Sequence, residues 1–133
     1  MHRLPVWLAA VWAVSLSLLG CMVVPMLFVY LPTPAMAGSM AAHLFSVQTW
    51  VSAVCAVLLL VSFRSNRALV GMDTARAATL FVVAGLLLAL LVELAVAPRI
   101  VARENLALWH AVGSGMYLGQ WLCSLVVFWK LSK

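Results

Sequence analysis

The chain has 133 residues, 67% of them apolar and only 8% charged, with eight Lys or Arg against three Asp or Glu. A soluble domain carries about 25% charged residues and about 45–50% apolar ones. A water-soluble globule, a disordered chain and a disulfide-rich module are therefore excluded, leaving an integral membrane protein with a single domain over residues 1–133.

The first uncharged stretch runs from Leu4 to Ala42. A membrane-crossing helix needs about 20 apolar residues, so this stretch is too long for one crossing. It breaks at Leu31-Pro32-Thr33-Pro34, where two prolines end a helix. The first span is expected at about 5–31. Two processing signatures fall inside the stretch. Leu18-Leu19-Gly20-Cys21 has the look of a lipoprotein site, and Ala35-Met36-Ala37 that of a signal-peptidase site. The apolar text continues to Leu31 and exceeds the 7–15 residues of a signal core, so a retained span is expected. The second span follows at about 43–63, the third at about 77–97 and the fourth at about 109–130. A lipid-embedded backbone must pair its own polar groups, so each span reads as a helix.

Arg3, Arg64, Arg67, Arg76, Lys130 and Lys133 fall on one side of this four-span model, and Arg99 and Arg103 on the other. That asymmetry predicts both termini in the cytoplasm. The basic Arg64–Arg76 loop suits anionic headgroups. The pI near 9.7 is thus a topology signal, and no nucleic-acid partner is expected. Trp7, Trp109 and Trp129 are expected at the membrane interfaces. Trp12, Trp50 and Trp121 lie deeper and are expected to pack between helices. Cys21, Cys55 and Cys123 sit in separate spans and read as small buried hydrophobes.

The two halves echo each other. Gly20-Cys21-Met22-Val23-Val24-Pro25 parallels Glu93-Leu94-Ala95-Val96-Ala97-Pro98, and a helix opens near His43 or His110 after each. Two like-oriented hairpins packed as a bundle are expected. Pro25 and Pro98 free the carbonyls of Cys21 and Leu94, which predicts kinks in packed or hydrated surroundings. Gly113, Gly115 and Gly119, with Ser114, are expected to form a close helix contact, as are Ser15, Ser17 and Gly20.

Functional candidates are few. Glu93 is the only acid inside a span, and intramembrane acids are functional candidates by default. His43 and His110 open the second and fourth spans on the outer side, where two imidazoles can bind haem iron or copper. Glu93 could orient one of them, and Met22, Met26, Met36, Met40 and Met116 could add soft ligands for Cu(I). No cofactor is expected as the leading reading. On the fourth span His110, Gly113, Tyr117, Gln120 and Ser124 share a face, as do Gln48, Ser52 and Cys55 on the second. These stripes either line a hydrated crevice or hydrogen-bond across helices for about 0.6 kcal/mol each. Ser114 lies one turn from His110, but no orienting acid or oxyanion donor accompanies it, so no catalytic residue is assigned.

Val24-Pro25-x-Leu27-Phe28-x-x-Leu31-Pro32, then Ala37-Gly38 and Leu44-Phe45, resembles the first half of the transmembrane-protein-205-like family. Trp109-His110-Ala111-Val112-Gly113-Ser114, with Tyr117 nearby, is similar to its aromatic-x-x-His-Gly-x-Ser segment. Ala111 stands where that family often has Gly, and Gly113 where it often has Ser. The bacterial members are catalogued as a domain of unknown function. The eukaryotic relative is linked to platinum-drug resistance, which hints at metal handling or export. A more distant likeness is to copper-resistance D-type membrane proteins. The resemblance implies a four-helix membrane domain without an established activity. The expectation is an all-α, non-enzymatic four-helix bundle of a bacterial inner membrane, accessory or transport- or stress-related. Its outer polar cluster would be Glu93, His43, His110 and Tyr117, with Gln120 deeper. Its partners would be the lipid bilayer and a larger complex or a second copy. The alternatives are a haem or copper protein using His43 and His110, or a pure scaffold.

Overall fold

A computed structural model describes residues 3–65 and 72–133. Of the described residues 93% are helical, and none is in a strand. Helix α1 (Leu4–Leu18) passes through a π-helical turn (Leu19–Val23) into α2 (Val24–Tyr30), and together they make the first span. Helix α3 (Pro34–Ser65) is the second span. Helix α4 (Met72–Leu91) passes through another π-turn (Val92–Val96) into α5 (Ala97–Val101), the third span. Helix α6 (Leu106–Ser132) is the fourth. All four are long and apolar enough to cross a membrane, as a multi-pass membrane protein requires. Each packs on its two chain neighbours and the fourth closes on the first, giving a four-helix bundle. Arg67 and the centre of the basic loop lie outside the described residues.

The last three spans overrun the expected bounds. The second begins at Pro34 rather than near residue 43. Thr33 caps it, its Oγ1 accepting the Met36 N–H at 3.2 Å, and Pro34 supplies a preset φ at the first helical position. The two prolines thus separate two helices and also start the second. The fourth helix opens at Leu106 behind Arg103 and Asn105, both at positive φ (56° and 34°). Asn tolerates this left-handed region better than most residues.

The kinks at Pro25 and Pro98 take the form of π-turns. A proline ring clashes with the carbonyl four residues before it. Widening the preceding turn moves that carbonyl aside. In the first span Val24 N–H donates to Leu19 O, and in the third Ala97 N–H donates to Val92 O. Both are five-residue bonds placed immediately before a proline. Pro25 and Pro98 are exposed, so of the packed or hydrated surroundings expected for them the packed ones are not found. Once the turn has widened, the ring no longer needs a neighbouring helix to pair what it displaced.

These matching turns place the internal echo on a firm register. Pro25 and Pro98 are 73 positions apart, as are Leu19 and Val92, the starts of the π-turns. In the second and fourth spans Gln48 matches Gln120, and Ser52 matches Ser124, at a spacing of 72; all four are buried. Equivalent residues also meet across the bundle. The Trp12 ring fills the space beside Gly85, where a Cβ would lie 2.7 Å from Cη2. Phe45 and Tyr117 meet edge to face at 5.2 Å. Two hairpins related by an approximate two-fold axis along the bundle account for both contacts.

Toward the terminal end the core is dry: Ala9, Trp12, Cys55, Ala56, Leu59, Phe63, Val82 and Val127 pack together. Trp12 is fully buried, as expected, and its indole Nε1 has no hydrogen-bond partner. Trp121 also packs between helices, donating to Ser17 Oγ at 2.8 Å. Trp50 does not, being 64% exposed. Its helix turns Gln48, Thr49 and Ser52 inward, which aims position 50 outward. Trp7 and Trp129 are exposed, the latter beneath Lys133. The cysteines are free; Cys55 is buried, but Cys21, within the first π-turn, is exposed.

Candidate functional site

The end of the bundle away from the termini holds the third span's acid. The second π-turn presents Glu93 toward α3, where Ser46 Oγ lies 2.8 Å from Oε1 and 2.9 Å from Oε2. The serine hydroxyl is thus shared by both carboxylate oxygens. The contact joins the second half of the chain to the first. Arg99, the nearest basic residue along the chain, is engaged elsewhere. Its Nη1 donates to Ala95 O at 2.8 Å, and its guanidinium lies 4.5 Å over the Trp109 ring.

Tyr117 makes a second contact between the halves. Its hydroxyl donates to Leu16 O at 2.7 Å, from the fourth span to the first. That carbonyl also accepts the Leu19 N–H where α1 passes into the π-turn. Gly20 is required here, since a Cβ would meet Tyr117 Cε1 at 2.9 Å. The Tyr117 ring therefore occupies the space beside Gly20. Gly20 and Glu93 hold equivalent positions in the repeat, each the second residue of its π-turn.

One turn nearer the termini lies an uncharged polar layer. Gln48 Nε2 donates to Ser15 Oγ at 2.9 Å and, more weakly, to Ser52 Oγ at 3.4 Å. Gln120 Nε2 donates to the same Ser52 Oγ at 2.7 Å. The two polar stripes read from the sequence do face each other, and their upper contacts join three spans. Ser15 and Ser17 act as hydrogen-bond acceptors for Gln48 and Trp121, beyond their small size.

The expected cluster separates into parts. Glu93 and Tyr117 reach helices of the opposite half, and Gln120 lies buried in the layer below. His43 and His110 are both exposed, and no hydrogen bond joins either to Glu93 among the described residues. Their helix faces turn them outward. No group of three or more His, Cys, Asp or Glu side chains is gathered for a metal ion among the described residues. Gly113 and Gly119 do pack closely, against Val96 and Leu88, with Cβ positions 3.2 and 3.1 Å away. Gly115 does not: nothing lies within 4 Å of its Cβ position, because position 115 points away from the third span. Ser46 is the residue the sequence reading missed. It lies between Phe45 and the Gln48 stripe, off the periodic polar face. The signal that could have found it is the need of an intramembrane acid for a hydroxyl on an adjoining helix.

Residues 7–107 match the model of a family described as a domain of unknown function, DUF4149. The chain belongs to this family. The match covers most of the chain, including both π-turns, Ser46 and Glu93. No curated protein and no solved structure matches it.

Proposed function

We propose that this DUF4149 protein is a non-enzymatic, accessory or transport-related component of a bacterial inner membrane, whose working end is the one carrying Glu93. The Glu93–Ser46 contact carries this reading. An acidic side chain at the centre of a membrane helix costs about 2.5–3.5 kcal/mol. An interhelical hydrogen bond returns about 0.6 kcal/mol on average. Packing alone is therefore a poor reason for a carboxylate here, even with the smaller cost nearer the interface. A carboxylate served by one hydroxyl retains acceptor capacity for a proton or a small cation.

The Lys and Arg asymmetry supports both termini in the cytoplasm and Glu93 facing outward. Four spans leave little room for a pore, which favours a partner complex or a second copy. A closer kinship with the transmembrane-protein-205-like family belongs to the same proposal. It rests on the Val24–Pro32 and Trp109–Ser114 segments, with copper-resistance D-type proteins more distant.

The test is complementation. A deletion strain is screened for a growth defect under chemical and ionic stress, and Glu93→Ala and Ser46→Ala are returned at matched membrane abundance. Loss of complementation by Glu93→Ala, with partial loss for Ser46→Ala, is expected. Full complementation by Glu93→Ala would leave a scaffold and sink the proposal.

A further inference from the structure

Two cross-half contacts lie at the far end, each at or beside a π-turn. Glu93 belongs to the second π-turn and is held by Ser46 of α3. Leu16 O, which also accepts the Leu19 N–H where α1 passes into the first π-turn, accepts from Tyr117 of α6. Between them Phe45 and Tyr117 close the axis edge to face. Beneath them, one helical turn on, sits the buried layer of Gln48, Ser52 and Gln120. Below that the dry core around Trp12, Leu59 and Val127 seals the terminal end. Polar groups are thus stacked under a closure made of two hydrogen-bonded contacts, above an apolar plug. Both contacts lie at or beside turns where the α-helical hydrogen-bond ladder gives way to a π one.

We propose that these contacts form a paired gate, whose parting beside the two π-turns opens the Gln48–Ser52–Gln120 layer to the far side of the membrane. The layer carries amides and hydroxyls and no formal charge, so what it admits is a small neutral hydrogen-bonding solute, water included. The inference rests on the reading of the Glu93 end as the working end. It does not depend on what is carried.

The gate is tested by thiol accessibility in the purified full chain. Cys21, Cys55 and Cys123 are replaced, and Ser52→Cys or Thr49→Cys reports on the layer; both native side chains are at most 6% exposed. A water-soluble methanethiosulfonate is the probe. Its reaction rate follows the open population when reclosing is fast. Glu93→Ala and Tyr117→Phe each remove one contact. Each is expected to raise labelling about three- to tenfold, the population shift of one interhelical hydrogen bond, and the double variant more. Ala56→Cys, in the dry core, is expected to stay slow. Rates that change less than about twofold in both variants would overturn the gate. So would equal acceleration at position 56, which would signal general loosening. If Glu93→Ala abolishes complementation but leaves labelling unchanged, the gate fails and the functional reading stands.

Discussion

Gly85→Ala probes the axis on which the two halves meet. The added methyl would lie 2.7 and 2.9 Å from the Trp12 ring and 3.3 Å from Cys123 Cβ. Ordinary carbon–carbon contact is about 3.5–4.0 Å, so the ring or the helix must give by roughly 1 Å. Trp12 is fully buried among Ala9, Ala56, Leu59 and Val82, and its bicyclic ring cannot bend out of the way. The cost expected for overpacking is about 1–3 kcal/mol. The site itself supplies the compensation, because Trp12→Phe removes both of the clashing ring carbons. The assay is reversible unfolding in mixed micelles of the wild type, both single variants and the double variant. Gly85→Ala should lower stability by that amount, and the double variant should be more stable than the sum of the singles predicts by about 1 kcal/mol or more. Strict additivity, or a Gly85→Ala within about 0.5 kcal/mol of wild type, would refute the contact on the axis.

Gly20→Ala should also destabilise, by about 1–3 kcal/mol, because its Cβ meets the Tyr117 ring, and Tyr117→Phe should not rescue it since Cε1 remains; the same micelle unfolding reads both. Gly115→Ala should be neutral within about 0.5 kcal/mol, since open space lies around it; a clear loss would reveal a partner on that face. Trp121→Phe forfeits the bond to Ser17 and should cost about 0.6 kcal/mol plus the lost ring volume, a loss that Ser17→Ala in the same background should not deepen.

The architecture was legible because charge spacing and proline placement act locally. Uncharged stretches must become helices in lipid, and Pro25 and Pro98 must disturb theirs. The polar stripe Gln48–Ser52–Cys55 was legible as well, since its period alone puts it on one face. What sequence periodicity could not give was the identity of the facing partner. Ser46 sits off the stripe, and only the rotation imposed by the second π-turn brings Glu93 against it. His43 and His110 resembled a pair because both open a helix, yet the repeat register aligns Gln48 with Gln120 and sets the histidines out of step. Trp50 and Gly115 were misassigned for one reason: composition says that a residue suits a helix contact, while rotation decides whether it meets one.

The seating of Glu93 on Ser46 carries the account. It can be measured by magic-angle-spinning NMR of the full chain in lipid bilayers with carbon-13 serine and glutamate. Glu93 and Glu104 are the only glutamates, so the carboxyl region is simple to assign. A short-mixing cross-peak between Glu93 Cδ and Ser46 Cβ is predicted, vanishing in Ser46→Ala while Glu93 itself stays visible. A spectrum in which both residues are resolved and no such peak builds up, or in which the peak survives Ser46→Ala, would contradict it.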